Sequence, residues 1–174
     1  MGPPGHFGVA LAAKPLVPTV PLWALLVASE ALDLLSFGFI SFGLETMAVS
    51  KIDFHQGVQT ITPGSVPWSH GLFMSGVWSV IFAALAYLIV KNWKASMIVG
   101  LVTFSHWILD FIVHSPDLTI FLHNSPELGL GLWTSGPGFI LSMFLELVLL
   151  TGGIVIYWVA RKRKALQGVE PSAF

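Results

Sequence analysis

Four long apolar stretches constrain this chain more than any other feature of its sequence. They run over about residues 22–47, 70–90, 95–114 and 138–160, and each has the roughly 20 residues that a helix needs to cross a bilayer. Only 10% of the residues are charged, against about 25% in an ordinary soluble domain, and the mean hydropathy is +0.80. The sequence therefore predicts an all-α membrane bundle of four transmembrane helices, in a single domain over residues 1–174.

A short apolar segment, residues 6–13, precedes the first stretch and ends at Lys14 and Pro15. It is too short to cross a membrane, so it predicts an interfacial or re-entrant helix. No basic region followed by a small-residue cleavage site precedes it, and no cleaved signal peptide is expected.

Basic residues in the connections predict the orientation of the bundle. In a four-helix topology Lys14, Lys91, Lys94 and the basic run 161–164 fall on one side, and only Lys51 falls on the other. Because positive residues mark the cytoplasmic side, both termini are expected in the cytoplasm and the protein in a bacterial inner membrane. Membrane lipid is the expected partner, with a homo-oligomer as a further expectation. The net charge of −1 indicates no nucleic-acid partner.

Ionisable residues inside the predicted helices indicate a functional site. Glu30 and Asp33 lie in the first stretch, His106 and Asp110 in the third, and Glu146 in the fourth. A charge costs about 2.5–3.5 kcal/mol at the centre of a membrane helix, so such groups face the bundle interior and find a partner or an ion there.

The third stretch carries the most specific pattern, because His106, Asp110 and His114 follow one another at intervals of four residues and share a helix face. A histidine and an aspartate one turn apart can bind the same divalent ion. Nitrogen and oxygen ligands suit zinc, which we expect, or manganese or iron. The alternative is a hydrogen-bonded pair that only joins helices.

Depth along the helices predicts where these groups meet. Counted at about 1.5 Å per residue, Asp33, His106, Asp110 and Glu146 converge in the middle to outer half of the bundle. His70 reaches them from the outer rim if its helix starts recessed. Two or three histidines with acids would form a metal site and leave one acid as a general base.

Other polar residues have simpler interpretations. Ser69 is a candidate N-cap of the second helix, and the pair Gly152-Gly153 predicts close packing between helices. Several acids and histidines are expected to be solvated at or beyond the outer interface: Glu45, Asp53, His55, Asp117, His123 and Glu127.

Several short motifs occur together in this chain: Gly5-His6-Phe7, Ala31-Leu32-Asp33-Leu34-Leu35, Pro67-Trp68-Ser69-His70-Gly71-Leu72 and Ser105-His106-Trp107-Ile108-Leu109-Asp110. In their order and spacing they resemble bacterial integral membrane proteins described as membrane-bound metal-dependent hydrolases. His114-Ser115-Pro116-Asp117-Leu118 and Leu145-Glu146-Leu147 are similar to a mostly uncharacterised subgroup, sometimes labelled permease.

The resemblance implies a metal centre built from His6, Asp33, His70, His106 and Asp110. The chain differs from the wider family where Ser69-His70-Gly71-Leu72 replaces Thr-His-Ser-Leu. A run with two aspartates near the end of the first helix is reduced to Asp33.

Three functions agree with these patterns. The first is a metal-dependent hydrolase acting on a lipid-like or membrane-proximal substrate, with Glu146 or Glu30 moving protons. The second is a proton or cation transporter or channel that uses the same acids and histidines as a relay. The third is a non-catalytic membrane scaffold in which the polar cluster joins the helices. The sequence contains no nucleotide-binding loop, nucleophile elbow or cofactor fingerprint.

Overall fold

Helices make up most of the chain in the computed structural model, which describes residues 1–46, 49–53, 58–62, 64–122 and 124–167. The described residues form six α-helices: α1 Pro3–Ala13, α2 Leu22–Ser29, α3 Ala31–Ser41, α4 Leu72–Val90, α5 Trp93–Val113 and α6 Gly136–Leu166. Two antiparallel hairpins lie in the longer connections: β1 Val49–Asp53 pairs with β2 Val58–Thr62, and β3 Leu118–Thr119 pairs with β4 Glu127–Leu128. The predictions for His55, His123 and the Asp53 side chain fall outside the described part.

Three of the described helices, α4, α5 and α6, are long and apolar enough to cross a membrane. The first apolar stretch is not one straight helix, because α2 and α3 meet at Glu30 with a bend of 55°. The predicted count of four holds if this bent pair crosses as a unit. Most large apolar side chains of α4 and α6 are exposed, which is the arrangement of helices that face lipid.

Local signals explain where the long helices begin and end. The Asn92 side chain caps α5 by accepting a hydrogen bond from the Ala95 amide at 3.1 Å. The Ser135 hydroxyl caps α6 in the same way from the Gly138 amide. Lys91 adopts a left-handed conformation with φ 52°, so α4 turns directly into α5 and the two helices pack as antiparallel neighbours.

Helix α1 lies against the bundle, where it packs mainly on α6 and also contacts α2 and α5. A Cβ atom on Gly153 would lie 2.2 Å from the carbonyl oxygen of Gly8, so the backbones of α6 and α1 touch. The packing prediction therefore holds for Gly153. It is wrong for Gly152, because a Cβ atom added there would lie more than 4 Å from any other element of the described chain.

The main apolar core is formed by α1 and the helices that pack against it. The main cluster of buried apolar side chains joins α1, the segment after it, α2 and the first half of α5, and its members are Ala10, Ala13, Val17, Val20, Leu25, Ala28, Ala95, Val99 and Val102. Two smaller clusters pack around Leu109 with Val113 and around Leu32 with Trp107.

Basic residues from distant parts of the chain meet at one end of the bundle. The Lys14 ammonium donates to the carbonyls of Pro18 and Val20 at 3.1 and 2.6 Å. Partial burial, together with the nearby charge of Lys164, lowers the pKa of Lys14. The end of α1 and the end of α6 therefore lie close together.

The glycine contact gives a matched pair of substitutions. In Gly153→Ala the new methyl group meets the Gly8 carbonyl, and we expect a loss of about 1–3 kcal/mol in the free energy of unfolding. Gly152→Ala adds the same atom in open space and should leave stability unchanged or slightly raised. Thermal unfolding of both variants in detergent, followed by circular dichroism, measures the difference. Equal midpoints would show that α1 does not pack on α6.

Candidate metal centre

Helix α5 supplies the central pair of the site. His106 and Asp110 follow one another by one turn, and both are buried. The His106 Nε2 lies 3.3 Å from Asp110 Oδ2. The i to i+4 spacing read from the sequence thus corresponds to two side chains that meet inside the bundle.

The bend between α2 and α3 brings two further groups to His106. The carbonyl of Ser29, at the C-terminal end of α2 where helix carbonyls lack partners, lies 2.7 Å from His106 Nδ1. Asp33, in the first turn of α3, places Oδ1 3.5 Å from His106 Nε2. One imidazole therefore has a backbone oxygen at one nitrogen and two carboxylates at the other.

His70 reaches the same carboxylates from the turn before α4. Its Nε2 lies 3.2 Å from Asp33 Oδ1 and 3.5 Å from Asp110 Oδ2, and the residue is buried. Ser69 is not the N-cap of α4, because Gly71 holds that position. The Ser69 hydroxyl instead contacts His70 Nδ1 at 2.7 Å.

Helix α1 carries His6 into the site. Its ring stacks on that of His106 with 3.9 Å between centroids, and its Nε2 lies 3.5 Å from Asp110 Oδ1. The same nitrogen lies 3.0 Å from the Met1 carbonyl oxygen, to which it donates. The amino group of Met1 also contacts Asp110 Oδ1, so a cationic group already lies at this carboxylate.

The acceptors around the two nitrogens of His106 favour a cation in the site. The Ser29 carbonyl can only accept, so His106 Nδ1 carries the hydrogen and the Nε2 of the neutral ring has a bare lone pair. Among the described residues that lone pair has no hydrogen-bond donor, and it faces carboxylate oxygens of Asp33 and Asp110. Buried acceptors that face one another are unfavourable, and a divalent ion or a second proton on the ring would relieve the repulsion.

The donor set fits a divalent transition metal. Two groups of side chains have ligand atoms within 4.8 Å of one another: His6, His106 and Asp110, and Asp33, His70 and His106. His6 Nδ1 is also buried and has no hydrogen-bond partner within the described ranges. Imidazole nitrogens and carboxylate oxygens in this number suit zinc, manganese or iron.

The two acids expected to move protons lie apart from both groups. Glu146 is buried and accepts a hydrogen bond from the Gly2 amide at 2.7 Å, which ties α6 to the start of α1. Glu30 lies at the bend, half-buried, and its Oε1 has no hydrogen-bond partner in the described part of the chain. Their roles in proton transfer stay predictions.

A cavity of about 360 Å³ lies beside the cluster, a size within the usual range of about 300–1,000 Å³ for small-molecule sites. Its polar lining includes Asp33, His70 and Asp110, and its apolar lining includes Phe37 and Trp133. Because Phe37 is more than half exposed, the cavity reaches the surface of the protein.

His114 and Asp117 also line the cavity. His114 Nδ1 lies 3.2 Å from Asp117 Oδ1, and its Nε2 lies 4.0 Å from Asp110 Oδ2. Asp117 was expected to be solvated, but it is only partly exposed and holds the imidazole of His114 toward the cluster. The i to i+3 spacing of the pair in the sequence was the available signal.

Glu45 is the site residue that the sequence interpretation missed. It was expected to be solvated, yet it is 3% exposed and contacts Ser36 and Ser69. The only local signal is Gly43, two residues earlier, whose φ of +72° turns the chain back toward the bundle. Glu127, by contrast, is exposed as predicted.

No family model, curated protein or solved structure matches this chain. The motif resemblance to membrane-bound metal-dependent hydrolases therefore stays a prediction, and the interpretation of the site depends on its geometry.

A thermal shift tests whether the cluster binds an ion. Zinc at 100 times its dissociation constant should stabilise the folded protein by about 2.7 kcal/mol, which raises the unfolding midpoint in detergent. His106→Ala should abolish the shift. Thr103→Ala, which removes a buried hydroxyl bonded within α5, should retain it. A shift of equal size in all three proteins would assign zinc binding to another place.

Proposed function

We propose that this protein is an integral membrane metalloenzyme that hydrolyses a lipid-like or membrane-proximal substrate. The observation that carries the proposal is the buried Nε2 of His106, which faces carboxylate oxygens of Asp33 and Asp110 and has no hydrogen-bond partner among the described residues. We assign the ion to five side chains, with zinc as the expected metal: His6, Asp33, His70, His106 and Asp110. When bound, a divalent metal polarises a carbonyl or phosphoryl group and acidifies water.

Each residue of the site has a task that its position supports. His70 and His106 present nitrogens, and Asp33 and Asp110 supply negative charge that balances a divalent ion. The apolar lining with Phe37 and Trp133 suits the hydrocarbon part of an amphipathic substrate. The polar lining would receive the bond to be cleaved.

His114 is the residue best placed to move a proton at the site. Asp117 orients its ring through Nδ1, and its Nε2 points toward the cluster from the cavity wall. A positioned histidine of this kind contributes typically about 10²–10⁴-fold to the rate. Glu30 and Glu146, which belong to neither candidate ligand group, would serve as further proton carriers.

The orientation follows from the basic residues. Lys14 and Lys164 lie at the same end of the bundle, and we assign that end to the cytoplasm of a bacterial inner membrane. The cavity would then open toward the opposite side, where a substrate at the membrane surface could enter.

Elemental analysis of the purified protein is the first test. A transition metal should copurify with the parent chain, and it should be lost from His106→Ala and Asp110→Ala but retained by Thr103→Ala. Metal-free protein with a normal circular dichroism spectrum would rule out the metal centre.

Hydrolysis is tested with a panel of acyl esters, amides and phosphoesters of amphipathic alcohols in micelles. We expect turnover that a chelator removes and zinc restores. His114→Ala should lower the rate by about 10²–10⁴-fold without changing the metal content. A loss of metal in this variant would make His114 a ligand instead.

One observation favours a transporter or channel as a second candidate. The helix pair α2–α3 is broken beside the site, and broken helices surround ion sites in many transporters. Asp33-dependent ion flux in sealed liposomes, together with no turnover of any substrate in the panel, would support this function. A protein with neither flux nor turnover, in which Asp110→Asn changes no phenotype, would support a scaffold.

A further inference from the structure

Glu45 is an unusual acid, because it is buried outside the candidate ligand groups and has no ion-pair partner among the described residues. It lies in the turn that follows α3. Its carboxylate accepts from the Ser36 hydroxyl at 2.9 Å and from the Ser69 amide at 2.7 Å. The Ser69 hydroxyl lies 3.0 and 2.8 Å from its two oxygens. The groups around the Glu45 carboxylate are neutral hydroxyl and amide donors, so both of its oxygens accept hydrogen bonds.

The Ser69 hydroxyl connects this acid to His70. A hydroxyl has one hydrogen and can accept through its lone pairs. Since the hydrogen is donated to Glu45, the 2.7 Å contact with His70 Nδ1 leaves Ser69 as the acceptor. Nδ1 of His70 therefore carries the hydrogen, and Nε2 of the neutral ring is bare.

That bare nitrogen is the one that faces the carboxylates of Asp33 and Asp110. His106 has the same arrangement, with the Ser29 carbonyl in place of the hydroxyl. Both imidazoles thus have an acceptor at Nδ1 and turn an unprotonated Nε2 toward the same carboxylates. The Ser29 carbonyl can only accept, whereas the Ser69 hydroxyl accepts from His70 only while it donates its own hydrogen to Glu45.

Hydrogen bonds also join the chain segments that carry Glu45 and Ser69. The carbonyl of Ser69 accepts from the Ser75 hydroxyl of α4 at 3.2 Å. Thr46, next to Glu45, forms a pair of 3.0 Å backbone hydrogen bonds with Ser65. The two chain segments that carry Glu45 and Ser69 are therefore joined to each other and to α4.

We propose that Glu45, acting through Ser69, is a positioning residue that fixes the tautomer and ring orientation of His70 so that Nε2 binds the divalent ion. This inference rests on the metal centre proposed above. Removing an acceptor that orients a ligating histidine typically weakens metal binding by about 10–100-fold.

The test is the dissociation constant of the full-length protein in detergent for Zn²⁺ and for Co²⁺, measured by chelator competition. Glu45→Gln keeps the shape of the side chain but brings N–H donors to Ser69, so the hydroxyl turns to donate to Nδ1 and places the hydrogen of His70 on Nε2. Glu45→Gln and Ser69→Ala should each weaken binding by about 10–100-fold. The visible spectrum of the Co²⁺ complex should change as His70 is lost from the ion.

Two variants serve as controls. Ser69→Thr retains the hydroxyl and should restore the parent affinity. Ser79→Ala removes another buried hydroxyl, which bonds the Ser75 carbonyl of its own helix, and should leave the dissociation constant unchanged. Circular dichroism and gel filtration establish that each variant is folded.

A nitrogen NMR measurement on the metal-free parent needs no variant, because the ¹⁵N shifts of His70 report which nitrogen carries the hydrogen. We expect the hydrogen on Nδ1. A hydrogen on Nε2, or parent-like affinity in both Glu45→Gln and Ser69→Ala, would overturn the role of Glu45 while leaving the metal centre intact. A parent chain that binds neither ion would overturn the metal centre and the inference together.

Discussion

The crowding of hydrogen-bond acceptors around Asp110 is the constraint on which the rest of the structure depends. Its carboxylate is buried and receives imidazole nitrogens from α1, the turn before α4, and α5 itself. The amino group of Met1 supplies one positive charge at this carboxylate, while Asp33 adds a second negative charge beside the same imidazoles. A divalent ion at this point would neutralise the carboxylates and connect α1, α3, α4 and α5.

The bend at Glu30 lets Ser29 and Asp33 contact the same imidazole, that of His106. A straight helix over the first apolar stretch would direct the Ser29 carbonyl along its own axis. Ending α2 at Ser29 frees that carbonyl for His106, and starting α3 at Ala31 turns Asp33 toward the same ring. The cost of an interrupted helix in lipid is offset where neighbouring groups take up the freed backbone atoms.

The unpartnered histidine nitrogens and the cavity are the features on which a scaffold and a metal-dependent hydrolase can be compared. A scaffold would need only satisfied hydrogen bonds, whereas His106 Nε2 and His6 Nδ1 are buried and find no hydrogen-bond partner in the described part of the chain. A cavity that joins the carboxylates to apolar side chains gives the site room for a substrate. The paired His114 and Asp117 also line this cavity, where the proposed hydrolysis would need a proton-transfer group.

The sequence by itself determined the all-α architecture, with helices long and apolar enough to cross a membrane, and the pairing of His106 with Asp110. Hydropathy and helical period are properties of neighbouring residues. The sequence also marked Asp33 and His70 through the cost of charge in lipid and the short motifs. Only the tertiary structure decided that α1 enters the bundle, which depends on the contact between Gly8 and Gly153. It likewise decided that Glu45 is buried rather than solvated. Such contacts join residues far apart in the chain. A local glycine can indicate a turn or a close approach, but the way the helices bend and pack decides which residues meet.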